Sequence, residues 1–297
     1  MRYQDLRWEV LPNPLRPEEL TIGRITLNRP EILNAINVRT RIELGHLFDE
    51  IRHNGNLRVI IITGEGRCFS SGGDLQSEAG PLGVNGDDFD FGSFGPYREL
   101  ANLFFNDLRH KALQETFRKL EDLPQITIAA INGPAVGLGL ELCTLCDIRW
   151  AGETARLGEV AVKAGFVPES GGARNLPRLV GIGRAMEMIL TGRLVPADEA
   201  ERIGLIDKVV REPAVLADSV LNLAGEIAAK PFVSVRKAKE LVRYYWNKSR
   251  DAEGWEREFE AIREVTRTAD CREGIDAFLT KRTPVYDGPW YEHSPFK

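Results

Sequence analysis

The sequence is poor in the residues that mark several protein classes. Only four cysteines occur in 297 residues, Cys68, Cys143, Cys146 and Cys271. That is too few for the disulfide framework of a secreted scaffold and suits a reducing, cytoplasmic setting. The four histidines, His46, His53, His110 and His293, fall at no metal-ligand spacing, so no metal is expected. No apolar run approaches the roughly 18 residues that cross a bilayer, and Asp5 and Glu9 interrupt the stretch where a signal peptide keeps its apolar region, so neither membrane span nor leader is expected. A net charge of -5 lacks the excess of cations through which bulk nucleic-acid binders work. Fixed-period repeats and low-complexity segments are missing as well. What remains is the composition of a globular protein, 43% hydrophobic and 28% charged, long enough for one large domain or two small ones that bury about 75% of the chain's surface.

Strand and helix signals alternate through the first two thirds. Residues 20–27 carry apolar side chains at near period two and stop at Asn28-Arg29-Pro30, where proline withdraws a donor. After Asn37, a suitable N-cap, Leu44, Leu47, Phe48 and Ile51 recur at helical spacing opposite a charged face that includes Arg41, Glu43, Asp49 and Arg52. Residues 59–63 and 126–131 are continuous apolar runs, as strands covered on both faces are. Between them, residues 76–96 are rich in Gly, Asp and Ser without period, and a helical pattern follows through Leu100, Leu103, Phe104, Leu108, Leu113, Phe117 and Leu120 to Pro124. The alternation predicts an α/β fold. Beyond about residue 190 the pattern turns helical, including 217–229 and 235–246, which divides the chain into a core at 1–195 and a helical region at 196–297.

Two strands end in glycine-rich turns, Ser71-Gly72-Gly73-Asp74 and Gly137-Leu138-Gly139. Glycine lets a backbone bring its N–H groups against a ligand, so two such turns can aim two donors at one oxygen. Neither turn is a dinucleotide or phosphate loop: Leu142 stands where a third glycine belongs, and no lysine follows. Directly after the second turn, Glu141 is one polar residue in an apolar run. Cys143 and Cys146 have the spacing of a redox pair but lie among apolar neighbours and read as buried thiols. Ser70 and Ser71 read as structural. The basic positions Lys230, Arg236, Lys237, Lys239, Arg243 and Lys248 read as a solvated helix face.

Taken together the segments are far more specific. Leu27-Asn28-Arg29-Pro30-Glu31-x-Leu33-Asn34-Ala35, Phe69-Ser70-Ser71-Gly72-Gly73-Asp74-Leu75, Ile128-Ala129-Ala130-Ile131-Asn132-Gly133-Pro134-Ala135, Cys146-Asp147-Ile148-Arg149 and Met188-x-Leu190-Thr191-Gly192 occur in the order and approximate spacing of the crotonase superfamily. The chain resembles an enoyl-CoA hydratase/isomerase from about Ile22 to Arg282. The resemblance implies a spiral of ββα units with a C-terminal helical region that mediates trimer contacts, commonly doubled to a hexamer. It also implies an acyl-CoA thioester substrate, with coenzyme A entering as part of the substrate and no further cofactor. The thioester carbonyl would become an enolate held by the N–H groups of Gly73 and Leu138, with Ser71, Gly72, Asp74 and Gly137 beside the substrate. Leu138 stands where family members usually carry glycine.

Glu141 matches the first catalytic glutamate of enoyl-CoA hydratases. The second would fall at Ala161, which can move no proton. Glu169 stands instead where enoyl-CoA or dienoyl-CoA isomerases place an acid, and on a strand-like segment Glu159 is two positions from replacing Ala161. Syn hydration needs a water held by two carboxylates, whereas moving a double bond needs a group that reaches both ends of a three-carbon unit. The pair Glu141 and Glu169 therefore reads as hydratase/isomerase chemistry, with hydrolytic cleavage of a β-diketone or a cyclic β-keto acyl-CoA as an alternative. The superfamily also includes an RNA-binding member. Its mark would be a lysine-rich first helix, and here Arg39, Arg41 and Arg52 are interleaved with Glu43, Asp49 and Glu50, so nucleic acid is not an expected partner.

Overall fold

Strand β3, Val59–Gly64, explains in six residues why the sheet reads as unbroken apolar sequence. Ile60 and Ile62 enter one core cluster, while Val59 and Ile61 enter a second on the opposite face. Side chains alternate across a strand, so a strand covered on both faces needs apolar residues at every position. β4, Ile126–Ile131, follows the same rule, with Ala129 and Ile131 on one side and Ile126, Ile128 and Ala130 on the other.

The computed structural model describes residues 3–74, 113–164, 166–247 and 268–286. The loop at 76–96 and the helical pattern at Leu100–Leu108 lie outside the described residues, as do His110 and His293. The main sheet has six strands in the order β1 (Leu6–Leu11), β2 (Ile22–Leu27), β3, β4, β6 (Ile148–Gly152) and β9 (Lys208–Val210). β1 runs antiparallel to β2 and every other pair is parallel. A smaller sheet joins β5 (Ala135–Val136), β7 (Arg156–Gly158) and β8 (Val195–Pro196). β8 and β9 are strands that the sequence pattern after residue 190 does not announce; they are two and three residues long, too short for a visible period, and β9 is the edge of the main sheet.

Helix α1 (Val38–Arg52) lays Leu44, Leu47, Phe48 and Ile51 on the first core cluster, together with Leu113, Phe117 and Leu120 of α2 (residues 113–121). Asn37 caps α1 by accepting the Thr40 N–H at 2.8 Å. Arg41 and Glu43, assigned to a charged face by the periodicity, are buried instead. Glu43 is drawn inward because it accepts the backbone N–H groups of Gln4 and Asp5. After α5 (Ile182–Thr191) and α6 (Ala197–Arg202), α7, Leu216–Ala228, closes the second cluster through Leu216, Val220, Ala224 and Ala228.

Helix α8, Phe232–Asn247, corrects the reading of its basic residues as a solvated face. Lys239 and Arg243 turn inward onto Asp147, with N–O distances of 2.7 and 2.8 Å. Asp147 also accepts the Thr127 N–H at 2.9 Å, which pins the loop before β6 to β4. Burial alone would push the Asp147 carboxyl up, but the two cations outweigh it and hold it below its ordinary 3.8. Arg149 is likewise structural, donating to the carbonyls of Leu205 and Cys146. Removing one partner of such a buried cluster strands the opposite charge, so Asp147→Ala should lower unfolding free energy by about 3 to 5 kcal/mol. Urea unfolding followed by circular dichroism tests this, and an unchanged midpoint would contradict it.

Candidate active site

The two glycine-rich turns lie against each other because the chain is stitched at almost every backbone group around them. Ser70 forms a bridge to Ala135, and the Val136 N–H donates to the Ser70 carbonyl at 3.0 Å. The Ile36 N–H donates to Gly72 and the Asp74 N–H donates back to Ile36, at 2.8 and 3.1 Å. Gly137 donates to Gly158 at 2.9 Å. Ser70 is structural, its hydroxyl donating to Asn34 and accepting from the Gly72 N–H. Two positions require glycine. Gly72 has φ +101° and a Cβ there would stand 2.8 Å from the Val136 carbonyl; Gly137 has φ +52°.

This stitching leaves two donors unused. Among the described residues nothing pairs with the N–H of Gly73 or of Leu138, although both neighbours of Gly73 and the N–H of Gly137 are bonded. Leu138 is the first residue of α3, Leu138–Leu145, so the positive end of that helix adds to its N–H. Its side chain is buried in the main core cluster, so leucine replaces glycine without standing free in the site.

Both residues line a cavity of about 110 Å³ whose other walls include Ser71, Gly72, Gly137, Glu141, Glu159, the half-buried Ala161 and the segment 166–169. Glu141 stands in the first turn of α3 and is 1% exposed, and it does not cap its own helix. Its two oxygens accept the N–H groups of Ser170 and of Gly172, at the start of α4 (Gly172–Val180), at 3.0 and 3.1 Å. Burial, then the neighbouring Glu159, push its carboxyl up to about 8, against the opposing pull of those two N–H groups. The cavity thus brings together five of the sequence-predicted backbone residues with both predicted acids, since Glu169 is half-buried in the same wall. Asp74 follows Gly73 at the edge of this wall. It is not among the lining residues and is ion-paired to Arg29 at 3.0 Å.

Glu159 is the group that sequence reasoning set aside. It is 1% exposed, its Oε1 accepts the Ala161 N–H at 3.4 Å, and its Oε2 has no hydrogen-bond partner among the described residues. On a continuous strand Glu159 would share a face with Ala161 but stand one repeat away from it; β7 ends at Gly158 and a 3-10 turn begins at Ala161, so that spacing does not apply between them. Burial pushes its carboxyl up to about 7. Cys143 and Cys146 are buried free thiols, as read from their neighbours.

Two uncommitted N–H groups on residues that line a small cavity walled by carboxylates are an arrangement suited to an enzyme site of the class that stabilises negative charge on an oxygen and moves protons. The comparisons give that class its family. The profile of enoyl-CoA hydratase/isomerase matches residues 18–85 and 84–289. The YngF protein of Bacillus subtilis is 38% identical over 268 residues, 89% of this chain and 94% of its own. The short-chain-enoyl-CoA hydratase of Clostridium acetobutylicum is 34% identical over 273 residues, 92% of this chain and 96% of its own. The crystal structure of an enoyl-CoA hydratase from Bacillus anthracis superposes with a TM-score of 0.80 at 34% identity, covering 95% of this chain and 99% of that one. The chain belongs to the enoyl-CoA hydratase/isomerase family, within the crotonase superfamily.

The raised carboxyls make stability depend on pH in a stated direction. A carboxyl with an ordinary value of 4.5 and a folded value of about 8 binds its proton more tightly in the folded chain. Folding stability then falls as pH rises between those values. Glu141→Gln should flatten that decline, whatever constant offset it adds. Melting temperatures of both proteins across this pH range measure it, and parallel curves would rule it out.

Proposed function

We propose that the protein moves a carbon–carbon double bond within an acyl-CoA thioester through an enolate, with hydration of the double bond as its second reading. The observation that supports it is the joint lining of one cavity by the free N–H groups of Gly73 and Leu138 and by Glu141 and Glu169. In a 3-enoyl thioester, Glu169 takes a proton from C2 and the electron pair passes to the carbonyl oxygen. The two N–H groups receive the charge; each preorganised donor of this kind contributes about 2.7 to 4 kcal/mol to the transition state. Glu141, which burial keeps protonated near neutral pH, gives its proton to C4, and the double bond ends at C2–C3 with no atom gained or lost. The alanine at 161 supports this reading over hydration, because it removes the acid that hydratases of the family carry there.

Hydration is favoured by a different observation, the open Oε2 of Glu159 beside Glu141. The cavity has room for water, each molecule taking about 30 Å³. Hydrolytic C–C cleavage would use the same water. A homotrimer or hexamer in the cytoplasm is part of the proposal. A second cavity of about 530 Å³ supports assembly, since apolar Ile148, Leu179, Ile227, Val235, Val242 and Trp246 are among its walls and Val242 is 66% exposed. Light scattering reads the assembly directly. Among the described residues no helix is long and apolar enough to cross a membrane.

If Glu169 carries the proton, Glu169→Gln should cut turnover by roughly 10² to 10⁴-fold while acyl-CoA affinity stays nearly constant. Product mass assigns the reaction across a panel of thioesters: no change for double-bond migration, one added water for hydration, and a shortened or ring-opened acid for cleavage. Full activity in Glu169→Gln would refute its assignment.

A further inference from the structure

We propose that Glu159 is a catalytic carboxylate of this site, holding one proton jointly with Glu141 and filling the acid position that Ala161 leaves vacant. The inference rests on the reading of the cavity as an enolate-forming acyl-CoA site. Three features of the geometry carry it. Both carboxylates are 1% exposed and both line the cavity. A Cβ built on Gly172 would stand 2.5 Å from Oε1 of Glu141 and 3.1 Å from Oε2 of Glu159, so the two oxygens converge on one point that only a glycine leaves open. And Oε2 of Glu159 has no other partner among the described residues, a state that a buried ionised oxygen does not sustain without a proton or water to share.

Among the described residues no cation is hydrogen-bonded or ion-paired to either carboxylate. Glu141 faces Glu159 from α3 and Glu169 from the segment before α4. The chain of Lys163, on the adjoining 3-10 turn, lies against Gly192, and Arg174 on α4 is held by Glu121 at 2.6 Å. Two like charges so close cannot both ionise at neutral pH, so the pair holds one proton and titrates as a unit. In the reaction the pair gives that proton to C4 of the dienolate while Glu169 holds the proton taken from C2. Return of that proton to the pair resets the site, and nothing is gained or lost.

The test is Glu159→Gln, which keeps shape and removes charge. Turnover of the thioester that the wild type converts should fall at least about 10²-fold, with binding of the thioester within about twofold. The high-pH limb of the rate profile should move to lower pH, because Glu141 loses the neighbouring charge that raises it. Adding Ala161→Glu to Glu159→Gln should recover part of the rate, which repacking alone would not do. In the free protein, carbon-13 NMR of labelled glutamate side chains should show two linked steps that collapse to one in Glu159→Gln. If Glu159→Gln fails to fold, Glu159→Asp keeps the charge and should give an intermediate rate. Wild-type rate with an unmoved high-pH limb in Glu159→Gln would overturn the assignment. A wild type that neither binds nor turns over any thioester would overturn it too, and the silence of the wild type itself would show that the parent reading had failed.

Discussion

Everything at the candidate active site depends on how completely the backbone of the two described segments 33–74 and 113–158 is satisfied around the glycine turns. Buried N–H groups that lack a partner are costly, and proteins rarely leave them. Here the turn after β3 is tied to the loop after β2, to the loop after β4 and, through Ser70, to both. The N–H groups of Gly73 and Leu138 are left unpaired among the described residues on the wall of a cavity, and on the proposed reading a substrate oxygen completes the ladder there. A site made this way needs no side chain at its centre. It tolerates leucine at 138 because the contribution is a main-chain donor held in place by a helix start, while the side chain belongs to the core.

The same frame accounts for the family pattern. Several of the polar residues that carry the resemblance are staples. Asn34 donates to the carbonyls of Glu65 and Cys68 from a left-handed backbone, φ 55°. Asn132 donates to Gly64 and Gly66, and Asp147 holds Lys239 and Arg243. These contacts set where loops sit relative to one another, so a chain that keeps them keeps the cavity while its acids change. Ala161, with acids at 159 and 169 in the same cavity wall, is such a change on the reading proposed above, and the staples hold that wall in place.

Legibility in the sequence followed the range of the interaction. β3 and β4 were readable because burial on both faces leaves a continuous apolar run, and Asn37 because a cap acts over three residues. The two turns and Glu141 were readable because glycine at a strand end has few other uses and a lone acid in an apolar run needs a reason. Lys239 and Arg243 were not, since their partner is nearly a hundred residues away and a period cannot tell a solvated cation from one folded inward. Arg41 and Glu43 failed for the same cause. β8 and β9 were too short to show alternation.

Glu159 marks where the reasoning by register broke down, and the reason is local. Strand parity sends residues 159 and 161 to the same face and fixes them one repeat apart, so one cannot replace the other. That argument holds only while the strand continues. It stops at Gly158, and the 3-10 turn at Ala161 shortens the path between the two positions. Glu159 then accepts the Ala161 N–H across the bend and turns its other oxygen toward Glu141. The cost of burying two acids together is met by the rest of the fold, because the site's walls are fixed by hydrogen bonds and apolar packing that neither carboxylate supplies. A protein can keep two buried acids that share a proton on those terms, and the raised proton affinity, which lowers stability as pH rises, is the property a proton-transfer site requires.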